Sequence, residues 1–183
     1  RWIILGSKGP VYAVTGIRDI HVLPSAERSR SFARDEIFLD LGVKNPAEVA
    51  ALGVETGNPV APHSPFAVLN GTNRYLAKAL DDRVGCAVLV EVLRRLAAEG
   101  HPNTLLVAAT TQEETGERGA HTAAEVARPQ IGIAIEGGVS GDVPGARPEE
   151  TQARLGAGPG VFLYDFVEQP NRRLIGLIKD TAR

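Results

Sequence analysis

The chain has 183 residues, 43% hydrophobic and 23% charged, with a formal net charge of -2. That balance fits a globular protein with one good core or two small ones and excludes a disordered chain. It carries no basic run, no aromatic-basic patch and no apolar stretch near the ~20 residues of a membrane helix, which argues against nucleic acid and membrane as partners.

Residues 1–75 are punctuated by Gly and Pro, and their apolar runs predict short strands at 2–5, 11–15, 37–41, around 60 and at 66–69. Ser7-Lys8-Gly9-Pro10 and Asn70-Gly71-Thr72-Asn73 read as turns, and the polar stretch 25–34 as an exposed loop. Asn45-Pro46-Ala47-Glu48 joins an N-cap, a proline at the first helical position and an acid in the first turn, so a short helix should run to about Leu52 and stop at Gly53. These residues read as a small β-rich module.

The rhythm changes near 74–78. Residues 82–98 place apolar side chains at 84, 88, 92 and 96, flanked by 89 and 93, and Gly100 follows: an amphipathic helix. Residues 105–111, 131–135 and 160–164 read as buried strands; 117–126, before Pro129, and 174–182, after Pro170-Asn171, read as helices. Alternating strand and helix predicts an α/β layer architecture for 76–183, beside the β-rich domain 1–75. The only cysteine is Cys86, so no disulfide forms within the chain and a reducing compartment, the cytoplasm, is expected. No signal peptide is read at the start. The sequence opens Arg1-Trp2-Ile3-Ile4 and contains no Met, which reads as a piece of a longer protein.

Three acidic stretches stand out. Thr111-Gln112-Glu113-Glu114-Thr115-Gly116 follows the first expected buried strand, Asp81-Asp82 precedes the long helix, and Glu136 ends the run 131–135 before a Gly-rich loop. Each has an ordinary reading: a solvated Glu pair, an N-cap (most naturally Asp82) and a solvated strand end. Together they describe carboxylates at the ends of strands, where sites of open α/β sheets sit. Two like charges ~4 Å apart repel by ~4 kcal/mol at an effective dielectric of about 20, so convergence calls for a cation. A bridging carboxylate with one terminal carboxylate per metal is the layout of two-metal hydrolase sites, and a free carboxylate beside them serves as general base.

The stretches KALDDRVGC, TTQEETGERGA and IAIEGGVSGDVPG, in that order and spacing, resemble the M42 family of metallo-aminopeptidases, the glutamyl and tetrahedral aminopeptidase group. SKGPVYAVTG, EIFLDLG, NPAEVAALGVETGNPVAP and LGAGPGVFLYD agree with it, so the resemblance runs through nearly the whole chain. It implies a three-layer zinc-peptidase-like catalytic domain with a small β-rich accessory domain used for oligomerisation. It implies removal of N-terminal residues from peptides, two zinc or cobalt ions, and assembly into twelve-subunit tetrahedra. Residue by residue, Asp81 resembles the aspartate bridging two metals, and Asp82 its neighbour, often joined to it by a cis peptide. Glu113 resembles the general base, Glu114 a terminal ligand of one metal, and Glu136 that of the other, where much of the family has Asp.

The chain departs from the family in having neither its His-x-Asp motif nor its C-terminal metal-binding His. The histidines present are His21, His63, His101 and His121, none in the family's pattern. Since a catalytic zinc ordinarily has three protein ligands plus water, weak metal binding and impaired activity are expected of the 183 residues alone. Rival readings are another co-catalytic zinc amidohydrolase or deacylase, a glycosidase using two carboxylates without metal, and a non-catalytic assembly module. Among the remaining polar residues, Cys86 reads as a small core residue and Arg118 as structural. Asp142 reads as a loop-shaping or turn residue, Lys78 as a solvated lysine or a partner of the acids, and Asp165 as a supporting or turn residue.

Overall fold

Apolar alternation on either side of Ser7-Lys8 folds residues 2–16 back on themselves. In the computed structural model, which describes residues 1–147, 149, 152–164 and 169–183, strand β1 (Trp2–Gly6) pairs antiparallel with β2 (Gly9–Gly16), Trp2 opposite Ala13 and Gly6 opposite Gly9. Strand β3 (Phe38–Asp40) adds to β2 with Val14 opposite Asp40. After helix α1 (Pro46–Ala51), strand β4 (Val60–Pro62) adds to the other side of β1, giving the order β3-β2-β1-β4. A separate ribbon joins β5 (Ala67–Val68) to β6 (Tyr75–Leu76), where Phe66 stacks on Tyr75 at 5.5 Å.

The chain divides into two units, Arg1–Lys78 and Ala79–Arg183. The core of the first is small. Ile4 and Ala13 lie on one face of the β1–β2 hairpin and are 4% and 3% exposed, with Leu23 buried as well. On that face the Trp2 indole N–H donates to Thr15 Oγ1 at 2.6 Å, so the ring's polar edge is satisfied. Helix α1 starts as expected: the Asn45 side chain accepts the Glu48 N–H at 3.1 Å, and Pro46 takes the first position. Its far end is tied to the hairpin turn. The Lys8 ammonium donates to the Ala51 carbonyl at 2.8 Å and the Ser7 N–H to the Gly53 carbonyl at 2.8 Å. A cation on the last carbonyls also complements the helix dipole.

The stretch 25–34, expected as an exposed loop, is folded locally. It holds short 3-10 turns at Ser25–Glu27 and Arg34–Glu36. Arg30 donates to both oxygens of Glu36, at 2.7 and 2.5 Å. This pair, seconded by the Ala33 N–H, holds the Glu36 carboxyl down at about 2. A depressed carboxyl favours the folded state fully above its unfolded value of about 4.3, and the contribution is lost as pH falls through the folded value. In Arg30→Ala, the Glu36 midpoint in a carboxyl-carbon NMR titration should climb toward ~4.3, staying somewhat below it because the Ala33 amide remains. An unchanged midpoint would show that Arg30 is not the cause.

The second unit holds helices α2 (Leu80–Glu99), α3 (Arg118–Ala127) and α4 (Arg172–Thr181). α2 departs from helical geometry at Asp81 and Asp82, whose peptide is cis, so the regular helix starts where sequence placed it. Glu91 pairs with Arg94 and Arg95, both at 2.9 Å, on its polar side, and Gly100 ends it at φ 76°. α4 is capped by the Asn171 side chain, which accepts the N–H groups of Arg173 and Leu174.

The three strands expected here are not found. Among the described residues, no hydrogen-bonded ladder includes 105–111, 131–135 or 160–164. Their apolar side chains stand open, with Leu106, Ile131 and Ile133 each about two-thirds exposed. The reason is physical. An apolar run reports that side chains seek burial, but a strand exists only when a second backbone accepts its hydrogen bonds. No other segment of Ala79–Arg183 does so among the described residues. Cys86, read as a core residue, is correspondingly only half-buried.

Candidate metal centre

The acidic group forms where α2 begins. One carboxylate oxygen each from Asp81, Asp82 and Glu136 lies within 4.8 Å of the other two. Asp81 and Glu136 are exposed and Asp82 half-buried. Asp82 also caps the helix, its Oδ1 accepting the Gly85 N–H at 2.9 Å. One side chain thus serves both readings that sequence set against each other.

The Gly137 N–H donates to Glu136 Oε1 at 3.0 Å, which by itself lowers the Glu136 carboxyl. Burial, the Asp82 charge, a side-chain hydrogen bond shared with Asp81 and the Asp81 charge together outweigh it, and the carboxyl ends above its usual range. Glu136 therefore resists ionisation in the company of the two aspartates, as like charges in one place should. Three convergent hard oxygen donors whose charges oppose one another fit a divalent cation, and carboxylates suit several such metals.

The second motif is held by its own backbone. The Glu113 carbonyl accepts the N–H groups of Gly116 and Glu117 at 2.9 and 2.8 Å. The Arg118 N–H reaches the Gln112 carbonyl at 3.3 Å, and the Gly119 N–H reaches that of Thr111 at 3.0 Å. Gln112 and Glu117 adopt φ of 59° and 53°, and Ala79, two residues before Asp81, adopts 57°. Left-handed backbone costs an L-residue roughly 1–2 kcal/mol, and such positions cluster at functional sites. Beside the turn, Thr110, Thr111, Gln112, Arg118, Gly119 and Thr122 help line a cavity of about 360 Å³.

Asp81 and Glu136 are thus brought together, joined by Asp82, which sequence reasoning had assigned to the helix cap. The carboxylates of Glu113 and Glu114 are not part of the group. No histidine belongs to it either. His63 meets Tyr12 edge-on at 5.2 Å, His101 Nδ1 is 2.5 Å from the Asn103 carbonyl, and His121 lies in α3. Asp142 is a loop-shaping residue, bonded by the Ser140 hydroxyl and by the Leu155 N–H at 3.2 Å, and these bonds lower its carboxyl. The Lys78 backbone N–H donates to the Ser64 carbonyl at 3.3 Å. Asp165 lies outside the described residues.

Comparison with known proteins agrees with the family resemblance of the sequence. The profile of the family described as M42 glutamyl aminopeptidase matches residues 1–183. The chain is 37% identical over 163 residues to the putative aminopeptidase FrvX of Escherichia coli, covering 88% of this chain and 45% of that protein. It is 30% identical over 161 residues to the glutamyl aminopeptidase of Lactococcus lactis, covering 87% and 44%. Among solved structures, the TET aminopeptidase of the archaeon Thaumarchaeota SCGC AB-539-E09 matches with a TM-score of 0.92 at 37% identity, covering 99% of this chain and 51% of that one. The aminopeptidase APDkam598 of Desulfurococcus kamchatkensis matches with a TM-score of 0.76 at 33% identity, covering 86% and 42%. The chain spans about half the length of the relatives it matches. It belongs to the M42 glutamyl aminopeptidase family, with an α/β fold of the TET aminopeptidase kind.

Proposed function

We propose that this member of the M42 family is a metal-dependent aminopeptidase that releases N-terminal residues from peptides. The observation that carries the reading is the meeting of Asp81, Asp82 and Glu136 within 4.8 Å on two of the three family motifs. Asp81, Glu136 and, from the neighbouring motif outside the group, Glu114 would hold two divalent cations, zinc or cobalt. Such ions, when bound, polarise the scissile carbonyl and bring the ionisation of water near neutrality.

Glu113 is the general base, taking the proton of the attacking water and returning it to the leaving amine, a role worth typically ~10²–10⁴ in rate. Its backbone carbonyl accepts two amides, which close the turn that carries its carboxylate. Asp82 orients the first turn of α2 and thereby Asp81. Residues 76–183 form part of the three-layer catalytic domain and residues 1–75 the accessory domain, through which copies of the protein assemble in the cytoplasm. The 0.92 TM-score against the TET aminopeptidase supports a shared fold.

On its own the 183-residue chain is weakly active, because no imidazole joins its carboxylates among the described residues. The test is cleavage of leucyl- and glutamyl-p-nitroanilide by the purified chain after chelation and after cobalt(II) is restored. Slow cleavage that chelation removes and cobalt(II) returns supports the reading. Cleavage indifferent to chelator overturns the metal dependence, and fast turnover overturns the impairment.

A further inference from the structure

The acidic group has two walls made of glycine backbone. We propose that Gly137 is a positioning residue of the metal centre: by lacking a Cβ it lets Asp81 close on Glu136, and its amide holds Glu136 curled toward Asp81. The inference rests on the reading of this group as a metal centre.

Three observations carry it. A Cβ on Gly137 would lie 3.0 Å from Asp81 Oδ1, 3.1 Å from its Cγ and 3.2 Å from its Cβ, tighter than side chains ordinarily pack. The same residue's N–H donates to Glu136 Oε1 at 3.0 Å. Gly138, the next residue, has nothing within 4 Å of its Cβ position among the described residues. Neither glycine has positive φ, so alanine fits the backbone at both. The requirement at 137 therefore comes from Asp81 and not from chain conformation. Folding Glu136 back onto its own following amide also shortens its reach.

Gly85 forms the other wall, against Asp82. Its Cβ position lies 2.6 Å from Asp82 Oδ1, and its amide bonds the same oxygen. Both walls use one device, an amide that grips one carboxylate where a missing methyl makes room for a carboxylate. Gly137 is the cleaner test, since Gly85 also sits inside the first turn of α2.

The experiment compares Gly137→Ala with Gly138→Ala in the 183-residue chain. Cobalt(II) affinity, read by equilibrium dialysis, should fall at least about 10-fold in Gly137→Ala, in line with losses for residues that orient metal ligands, and stay within about twofold in Gly138→Ala. The visible d–d bands of the cobalt(II) complex should shift in the first variant only, which a general loss of stability would not produce. Equal effects of the two substitutions overturn the proposal. The second arm uses no metal. In EDTA, Gly137→Ala should melt lower than Gly138→Ala, and the difference should vanish in an Asp81→Gly background, which removes the Cβ, Cγ and Oδ1 that crowd position 137. A difference that persists there overturns the positioning role. If wild type takes up no cobalt(II), the metal reading fails, while this arm still decides whether Gly137 spaces Asp81.

Discussion

Asp81→Asn is expected to weaken cobalt(II) binding at least about 100-fold, beyond what residues behind the ligands typically contribute. In the metal-free chain the same substitution should raise the melting temperature. The two effects have opposite signs for one reason. Asp81 and Asp82 stand with Glu136 close enough that Glu136 resists ionisation. Without a cation the charges of the three acids oppose one another, and an amide of the same shape removes one charge while it can still share a hydrogen bond with Glu136. With a cation the same charge becomes a ligand. Each 1 kcal/mol of relief is worth roughly 2–4 °C for a chain of this length, reduced by the solvent that reaches Asp81. Asp35→Asn, in the other unit, should move neither quantity. A melting temperature that falls in EDTA for Asp81→Asn would mean that Asp81 is a structural partner and not one of several competing charges.

Gly119→Ala is expected to destabilise the second unit by about 1–3 kcal/mol, the usual range for forcing an extra methyl into filled space. The methyl would lie 2.5 Å from the Thr111 nitrogen and also against the Thr111 carbonyl oxygen. Those are backbone atoms and cannot rotate aside as a side chain can. The Gly119 N–H bond to that carbonyl closes the turn that carries Glu113 and Glu114, so strain here loosens both carboxylates. Gly176→Ala in α4 provides the contrast, because nothing lies within 4 Å of its Cβ position among the described residues. There the change should stabilise by up to ~1 kcal/mol through helix propensity alone. Urea denaturation of the two variants checks both signs. Loss below ~0.5 kcal/mol in Gly119→Ala would place it with ordinary surface changes and refute the close contact.

Local features were legible because local chemistry decides them. The β1–β2 hairpin follows from apolar runs on either side of Ser7-Lys8, α1 from Asn45-Pro46, and α4 from Asn171. The acids were legible as motifs, and two of them, Asp81 and Glu136, lie together although 55 positions separate them. Other features were hidden for equally definite reasons. Strand pairing is a relation between two segments, and 105–111, 131–135 and 160–164 each show only one side of it. Asp82 was visible as a cap, but the cis peptide that precedes it and its place beside Asp81 are not written in a helix pattern. Gly85 and Gly137 look like any glycine in a list, and their meaning lies in what stands where a Cβ would be.

The central claim is that Asp81 and Glu136, with Asp82 beside them, form one site that takes a cation. The most direct measurement adds cobalt(II) to the isotopically labelled chain and maps which amides broaden in the NMR spectrum. Broadening centred on residues 81, 82, 136 and 137, absent in Glu136→Gln, is the expected result. Broadening spread evenly over exposed acids such as Asp35, Glu55 and Asp180, or none at all near Asp81 and Glu136, would contradict it.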